Sequence, residues 1–141
     1  MMISTRGRYA LRFMVDLAQN QGDGYVPLKK VALRQNISEK YLEIIAKVLV
    51  QNRLLKTLRG KGGGYRLEKA PAEYNLREIL ELTEGSLAPV ACLGSDGRIC
   101  SRQTQCPTLS FWQGLEQVIQ AYAERFTLAD LLVSDRVETR R

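Results

Sequence analysis

A glycine-rich run at residues 59–66, with the sequence RGKGGGYR, constrains the fold of this chain more than any other feature. Residues 54–58 before the glycines and residues 65–67 after them each have the pattern of a short strand. Glycine adopts turn conformations that other residues avoid, so residues 61–64 can join the two strands. The run therefore predicts a β-hairpin whose turn is flanked by Arg59, Lys61 and Arg66.

Three helices are predicted ahead of this hairpin. Apolar residues at intervals of three and four predict a first helix over about residues 5–19, and Pro27 suits the first turn of a short second helix that reaches Gln35. Ser38 is a suitable N-cap for a third helix that ends near Asn52. The turn at residues 36–37 gives the last two helices the spacing of a helix-turn-helix, although an ordinary helical hairpin has the same pattern. The β-hairpin that follows favours a winged helix.

The rest of the chain predicts further helices around a long loop. Asn75 and Glu78 have the spacing of a capping box, and the helix that they begin ends at Gly85. Residues 86–107 have no apolar periodicity and contain all three cysteines. A helix over about residues 108–125 and a short helix over residues 128–132 follow, before a polar tail at residues 136–141.

The predicted fold class is mainly α with a small β-hairpin wing. The domains are a winged helix-turn-helix over residues 1–85, a cysteine-bearing loop over residues 86–107, and a long helix with a short terminal helix over residues 108–134. A chain of 141 residues can bury one core of useful size, so one compact unit with an extension is expected.

Positive charge is concentrated in the first half of the chain. Residues 1–69 contain fourteen Lys and Arg but only five Asp and Glu, a net charge of +9, whereas the remaining residues carry −3. A basic half next to a basic hairpin is typical of a surface that binds the phosphate backbone. Double-stranded DNA is therefore the predicted partner.

The third helix has a polar face that fits the major groove. If its apolar residues turn inward, Lys40, Glu43 and Lys47 share the opposite face. Glu43 can accept a hydrogen bond from cytosine N4, or it can form an ordinary surface ion pair with Lys47. Ser38 and Tyr41 lie at the helix start, where phosphates are commonly bound. The candidate DNA-contacting residues are Ser38, Lys40, Tyr41, Glu43, Lys47, Arg59, Lys61, Gly62 and Gly63.

A stripe of large apolar residues on the long helix predicts a homodimer. The stripe consists of Trp112, Leu115, Ile119, Tyr122 and Phe126. One winged unit makes few base contacts, so such proteins usually bind palindromic half-sites as two-fold dimers. The alternative is a helix that packs wholly on its own chain.

The three cysteines have the chemistry of a ligand set. Cys92 and Cys100 enclose seven residues, and Cys100 and Cys106 enclose five. Structural zinc sites favour closer pairs, so an iron-sulfur cluster fits better. The chain has no histidine, which leaves the fourth ligand unknown. Three unligated thiols, or a thiol redox sensor, are the alternatives.

The sequence argues against an enzyme. Histidine, the commonest general base, is absent, and the glycines join two strands rather than a strand and a helix. A module that has lost DNA binding and relays electrons through its cysteines is the other competing class. No apolar run approaches the ~20 residues of a membrane span, and the N-terminus lacks a secretory pattern, so we expect a cytoplasmic protein with no membrane partner.

Four segments together resemble a known family over nearly the whole chain: residues 3–10, residues 37–43, the wing at residues 59–65 and the cysteine triad. They resemble the bacterial winged-helix regulators typified by IscR, CymR and NsrR. The resemblance implies a dimeric transcription regulator, usually a repressor, of genes for iron-sulfur assembly, cysteine metabolism or nitrosative stress. It also implies DNA contacts from Ser38, Tyr41 and Glu43 in the major groove, and from Arg59 with the glycine turn in the minor groove.

The departures from this family concern the sensor. Where IscR-like members have a histidine that completes a 2Fe-2S site, this chain has Leu109, and where NsrR-like members have an acidic ligand it has Arg8. CymR-like members lack the triad and work through a partner enzyme. The resemblance assigns Cys92, Cys100 and Cys106 to a cluster, with 2Fe-2S favoured over 4Fe-4S. The alternative is a CymR-like regulator without a cluster that responds through a partner enzyme or thiol oxidation.

Replacement of Glu43 with alanine tests the predicted base readout. We expect Glu43→Ala to weaken sequence discrimination, by about 1 to 3 kcal/mol at one base pair, more than it weakens total affinity. The reason is that a carboxylate contributes no attraction to phosphate. Binding to a set of operator variants measures this, and identical profiles for the two proteins would remove Glu43 from the readout.

Overall fold

The computed structural model describes residues 3–94 and 101–133 and confirms the predicted order of helices and hairpin. The predicted polar tail at residues 136–141 lies outside the described residues. The elements are α1 (Thr5–Asn20), α2 (Leu28–Gln35), α3 (Glu39–Gln51), β1 (Leu55–Leu58), β2 (Gly64–Leu67), α4 (Leu76–Glu84), α5 (Leu109–Glu124) and α6 (Leu128–Val133). Single 3-10 turns lie at Pro71–Glu73 and Ala91–Leu93.

Helix α1 is the centre of the core. Its residues Ala10, Phe13, Met14 and Leu17 are fully buried, and it packs against α2, α3, β2, α4 and α6. The inward residues predicted for α3 are buried in the same core, which Leu128 of α6 also joins. The winged unit and the last helix therefore share one hydrophobic core, and we refer to this unit, residues 3–84 with α6, as the head.

A buried carboxylate joins α1 to the end of α2. Asp16 is 1% exposed and accepts hydrogen bonds from Arg34 Nε at 3.0 Å, Arg34 Nη2 at 2.7 Å and Gln35 Nε2 at 2.9 Å. Arg12, one turn before Asp16 in α1, donates to the Gln35 side chain at 3.1 Å and to the Gln35 main-chain carbonyl. The hydrogen bond with Asp16 raises the pKa of Arg34 above its ordinary value, despite opposing desolvation.

The turn between α2 and α3 begins at the residue after this network. Asn36 has φ 54°, in the left-handed region that asparagine tolerates better than most residues. Ile37 is buried, and the Ser38 hydroxyl accepts a hydrogen bond from the Tyr41 N–H at 3.0 Å, as predicted for an N-cap. The left-handed turn and the cap together set where α3 begins.

The wing is a small antiparallel ladder. Leu55 pairs with Leu67 and Leu58 with Gly64, and Val26 adds a bridge to the outer side of β2 at Tyr65. A Cβ on Gly63 would lie 2.1 Å from the Leu58 carbonyl oxygen, and one on Gly64 would lie 2.2 Å from that of Val26. These two glycines are required by the backbone of the wing itself.

Tyr74 fastens the base of the wing to the head. Its buried hydroxyl donates to the Leu54 carbonyl at 2.5 Å and accepts from the N–H groups of Glu68 at 2.8 Å and Lys69 at 3.2 Å. Burial raises the pKa of Tyr74 above its ordinary value. Both ends of the hairpin are therefore held by one side chain.

The start of α4 shows half of the predicted capping box. The Asn75 side chain accepts a hydrogen bond from the Arg77 N–H at 2.9 Å. Glu78 is exposed, and within the described residues it makes no return bond to Asn75. Asn75 instead donates from its amide to the Glu124 carbonyl at 2.7 Å, so it also links α4 to α5.

Replacement of Asp16 with alanine tests the junction of α1 and α2. We expect Asp16→Ala to lower the free energy of unfolding by about 2 kcal/mol, because hydrogen bonds to a charged group are lost and Gln35 loses a buried partner. Urea unfolding measures the change. Asp23→Ala, in the exposed turn after α1, is the control and should cost less than about 0.5 kcal/mol. Equal midpoints for the two variants would contradict the role given to Asp16.

Candidate nucleic-acid interface

The outward face of α3 carries the three predicted polar residues. Lys40, Glu43 and Lys47 are exposed, whereas Leu42 and Ile45 are buried on the other side. In the described ranges, no ion pair joins Glu43 to Lys47. The carboxylate is therefore available to a partner outside the chain.

The beginning of α3 is held by α1. Tyr41 is half-buried, and its hydroxyl lies 2.8 Å from the Thr5 hydroxyl. The edge of its ring meets Tyr9, with 5.7 Å between the centroids. Ser38 is exposed and uses its oxygen as the helix cap, which leaves its O–H free to donate.

Among the described residues, no acid pairs with the cations of the wing tip. Arg59, Lys61 and Gly62 are exposed and Gly63 is half-buried. Arg66, the third cation of the predicted hairpin, has a different position: it donates to the Gly24 carbonyl at 3.1 Å and lies over the Tyr25 ring. Arg66 therefore braces the base of the wing, and the charge of the tip comes from Arg59 and Lys61.

The ion pairs of the described residues leave this face positive. They join Asp16 to Arg34, and Arg77 to Glu81 and Glu124. None of them neutralises a cation of α3 or of the wing tip. Unpaired cations on an exposed helix and an adjoining hairpin can bind phosphate groups of a nucleic acid.

Glu84 at the end of α4 binds the first turn of α1. Its carboxylate accepts hydrogen bonds from the Ser4 N–H at 2.9 Å, the Ser4 hydroxyl at 2.5 Å and the Gly7 N–H at 3.1 Å. Burial acts to raise the pKa of Glu84, but the hydrogen bonds from Ser4 and Gly7, with the nearby charge of Arg6, lower it below the ordinary value. Glycine at position 7 leaves room for this carboxylate, because a Cβ there would lie 2.9 Å from Glu84 Oε2.

Helix α5 is covered poorly by its own chain. None of its residues is buried, and its exposed large apolar residues are Phe111, Leu115, Val118 and Tyr122. The predicted stripe shares Leu115 and Tyr122 with this set, and its other positions are less exposed. Trp112 and Ile119 are half-buried, and Phe126 packs against the core. The prediction of a helix that packs wholly on its own chain is not supported either.

Two of the three predicted cysteine ligands lie in the described residues. Cys92 and Cys106 are half-buried free thiols, and Cys100 lies outside the described residues. A contact of 3.3 Å between Cys106 Sγ and Thr108 Oγ1 lowers the pKa of Cys106 below its ordinary value. In the described part of the chain, no cluster of three or more Cys, Asp or Glu side chains could hold a metal ion.

A helix-turn-helix with a basic wing, followed by a helix with an uncovered apolar stripe, defines a winged-helix transcriptional regulator. Residues 3–134 match the Rrf2 family, which is described as an iron-dependent transcriptional regulator. The chain belongs to the Rrf2 family. This is a family of transcriptional regulators rather than of enzymes, which confirms the expectation from the sequence that the protein is not an enzyme.

Relatives and solved structures agree with this assignment. The chain is 33% identical over 138 residues to the HTH-type transcriptional regulator IscR of Aliivibrio salmonicida, which covers 98% of this chain and 81% of that protein. The structure of CymR, the global cysteine regulator of B. subtilis, is similar with a TM-score of 0.79 and 30% identity over 96% of this chain and 99% of that one. The structure of T. potens IscR has a TM-score of 0.76 and 31% identity over 100% and 93%.

Within residues 3–94 and 101–133, no helix combines the length and the apolar character that crossing a bilayer requires.

Replacement of Glu84 with glutamine tests the anchor of α1 through pH. Because the folded pKa of Glu84 lies below its value in the unfolded chain, its stabilising effect is complete above the unfolded pKa and is lost as pH falls through the folded pKa. We expect wild type to be more stable than Glu84→Gln near neutral pH and the difference to shrink on acidification below the ordinary value of 4.5. Thermal unfolding across this range measures it. Glu78→Gln, exposed on the same helix, is the control, and a difference that does not change with pH would contradict the ionised anchor.

Proposed function

We propose that the protein is a homodimeric transcriptional repressor that binds a palindromic operator in the cytoplasm. The observation that carries the proposal is the exposed face of Lys40, Glu43 and Lys47 on a capped helix. It is followed in sequence by a wing tip whose two cations form no ion pair with the described residues. In this proposal α3 enters the major groove, where Glu43 reads a base and the lysines bind phosphates. Ser38 and Tyr41 fix the helix start on the backbone, and the residues of the tip, Arg59 and Lys61 with Gly62 and Gly63, follow the adjoining minor groove.

A second copy of the chain is the proposed partner of α5. Phe111, Leu115, Val118 and Tyr122 recur at four, three and four residues, so they lie along one line of the helix. Four exposed large apolar side chains on one line exceed the scattered exposure that is normal on a monomer. Pairing of two such helices would bury both stripes and set two recognition helices on half-sites related by a two-fold axis.

Duplex binding tests the DNA-binding function together with the dimer. We expect specific binding that falls steeply with salt, and a decrease of about 1 in the salt slope when Arg59 is replaced with alanine, since one phosphate contact is lost.

Val118→Glu should yield monomers in sedimentation and lose operator affinity, because it places a charge in the paired stripe. Gln113→Glu, exposed on the opposite side of α5, is the matched control. Salt-insensitive binding, or a dimer that survives Val118→Glu unchanged, would contradict this arrangement.

For the sensor, we propose an iron-sulfur cluster held by Cys92, Cys100 and Cys106. Thiolates are the ligands that such clusters prefer, and the half-buried Cys92 and Cys106 are both free thiols. The IscR names of relatives at 33–34% identity support an iron-sulfur function in this family. A 2Fe-2S cluster is favoured over 4Fe-4S, and the fourth ligand is unassigned. When bound, the cluster would supply a redox-dependent charge.

The chain would transmit ligation through α5. Cys106 lies three residues before α5 begins at Leu109, and Thr108 contacts its sulfur. Ligation of Cys92, Cys100 and Cys106 would therefore change the path by which the chain enters α5. Since α5 pairs the two copies, that change would bias the separation of the two recognition helices. A ligand shifts such an equilibrium only by its differential affinity for the two arrangements.

A regulator without a cluster is the second candidate. The observation that favours it is the similarity to CymR, with a TM-score of 0.79, together with Leu109 at the position of the IscR histidine. A structure of the oxidized form of S. aureus CymR is also similar, with a TM-score of 0.74 and 29% identity. In this candidate, thiol oxidation or a partner enzyme replaces the cluster.

Anaerobic reconstitution separates the two candidates. We expect the purified protein to take up iron and sulfide with visible absorbance, and the variant with all three cysteines replaced by serine to take up neither. Operator affinity should differ between the loaded and the cluster-free protein. If the protein takes up no iron and binds DNA as the triple variant does, the cluster proposal is contradicted and the regulator without a cluster is favoured.

A further inference from the structure

The recognition helix is joined to the first turn of α1 by a pair of hydroxyl groups. Thr5 Oγ1 and the Tyr41 phenol oxygen lie 2.8 Å apart, a normal distance for a hydrogen bond between hydroxyls. The two residues are 36 positions apart in the chain, so the bond connects separate helices. It is the polar counterpart of the packing of Tyr41 on Tyr9, whose ring centroids are 5.7 Å apart.

Thr5 is itself held firmly. It is the first residue of α1, and the residues before and after it, Ser4 and Gly7, donate four hydrogen bonds to the Glu84 carboxylate. Glu84 also fills the space that any side chain at position 7 would need. The backbone that carries the Thr5 hydroxyl is therefore held in place. Without a hydrogen-bond partner, the O–H of a tyrosine would rotate about its C–O bond.

The bond between the two hydroxyls leaves one hydrogen to spare. Each hydroxyl has one O–H donor, and the pair uses one of the two between its oxygens. The second O–H remains at a part-buried site, and Arg6 and Arg8, one and three positions after Thr5 in α1, are both exposed. A phosphate oxygen accepts hydrogen bonds and is attracted by these cations, so it matches what the pair offers.

We infer that Thr5 is a positioning residue for DNA binding: its hydroxyl donates to the Tyr41 phenol oxygen, so that the Tyr41 O–H is left to donate to a backbone phosphate. This inference rests on the proposed function, in which Tyr41 is at the DNA surface. Thr5 acts through Tyr41, so its effect disappears when the Tyr41 hydroxyl is absent. A role of Thr5 in folding alone would not depend on Tyr41.

The test is a double-mutant cycle on operator affinity with full-length protein. Thr5→Val removes the hydroxyl and keeps the shape of the side chain, and we expect about a fivefold loss, the size of one ordinary hydrogen bond. Tyr41→Phe should lose at least as much. Addition of Thr5→Val to Tyr41→Phe should cause no further loss, and Thr5→Ser, which keeps the hydroxyl, should bind as wild type does.

Thr83→Val is the matched control, because the hydrogen bonds of the Thr83 hydroxyl to described residues go to the carbonyls of Ile79 and Leu80 in its own helix. It should bind the operator as wild type does. An unchanged affinity for Thr5→Val, or the same fold loss with and without the Tyr41 hydroxyl, would overturn the inference while wild-type binding upholds the proposed function. A wild-type protein that binds no duplex would overturn both, before any variant is compared.

Discussion

The geometry of the head depends on one buried carboxylate. Asp16 is surrounded by core residues of α1 and has no access to water, so it must be neutralised from within, and Arg34 and Gln35 do this. These two residues are the last of α2, and the left-handed turn at Asn36 follows directly. A polar bond at the core therefore determines where α2 stops, where the chain turns and where α3 begins.

The local features of the head could be predicted from the sequence because each depends on neighbouring residues. Ser38 caps α3 by accepting a hydrogen bond from the N–H of Tyr41, three residues later in the chain. The spacing of Leu42, Ile45 and Leu49 identifies the buried side of the same helix. The glycines of the wing likewise predict a turn. These signals are carried within one helix or one hairpin, so no knowledge of the tertiary fold was needed.

The features that escaped prediction are bonds between distant parts of the chain. Glu84 reaches Ser4 across 80 positions and Asp16 reaches Arg34 across 18, and a single polar residue carries no periodic pattern. Gly7 is a local signal of the contact with Glu84, because a glycine within a helix can indicate that another group packs closely against the backbone. It does not indicate which group that is. On α5, apolar residues occupy more than half of the circumference, so periodicity alone did not distinguish the side toward the head, with Phe126, from the exposed side. The roles of the DNA-contacting residues and of the cysteines remain predictions.

The close fit of Gly63 and Gly64 to carbonyl oxygens of their own chain has an evolutionary consequence. Selection for a properly built hairpin would keep these two positions constant whatever operator a descendant came to recognise. Divergence in target preference would have to accumulate at the unconstrained side chains around them, Arg59 and Lys61. A shared glycine signature among such proteins thus records common architecture, and says nothing about whether their regulons overlap.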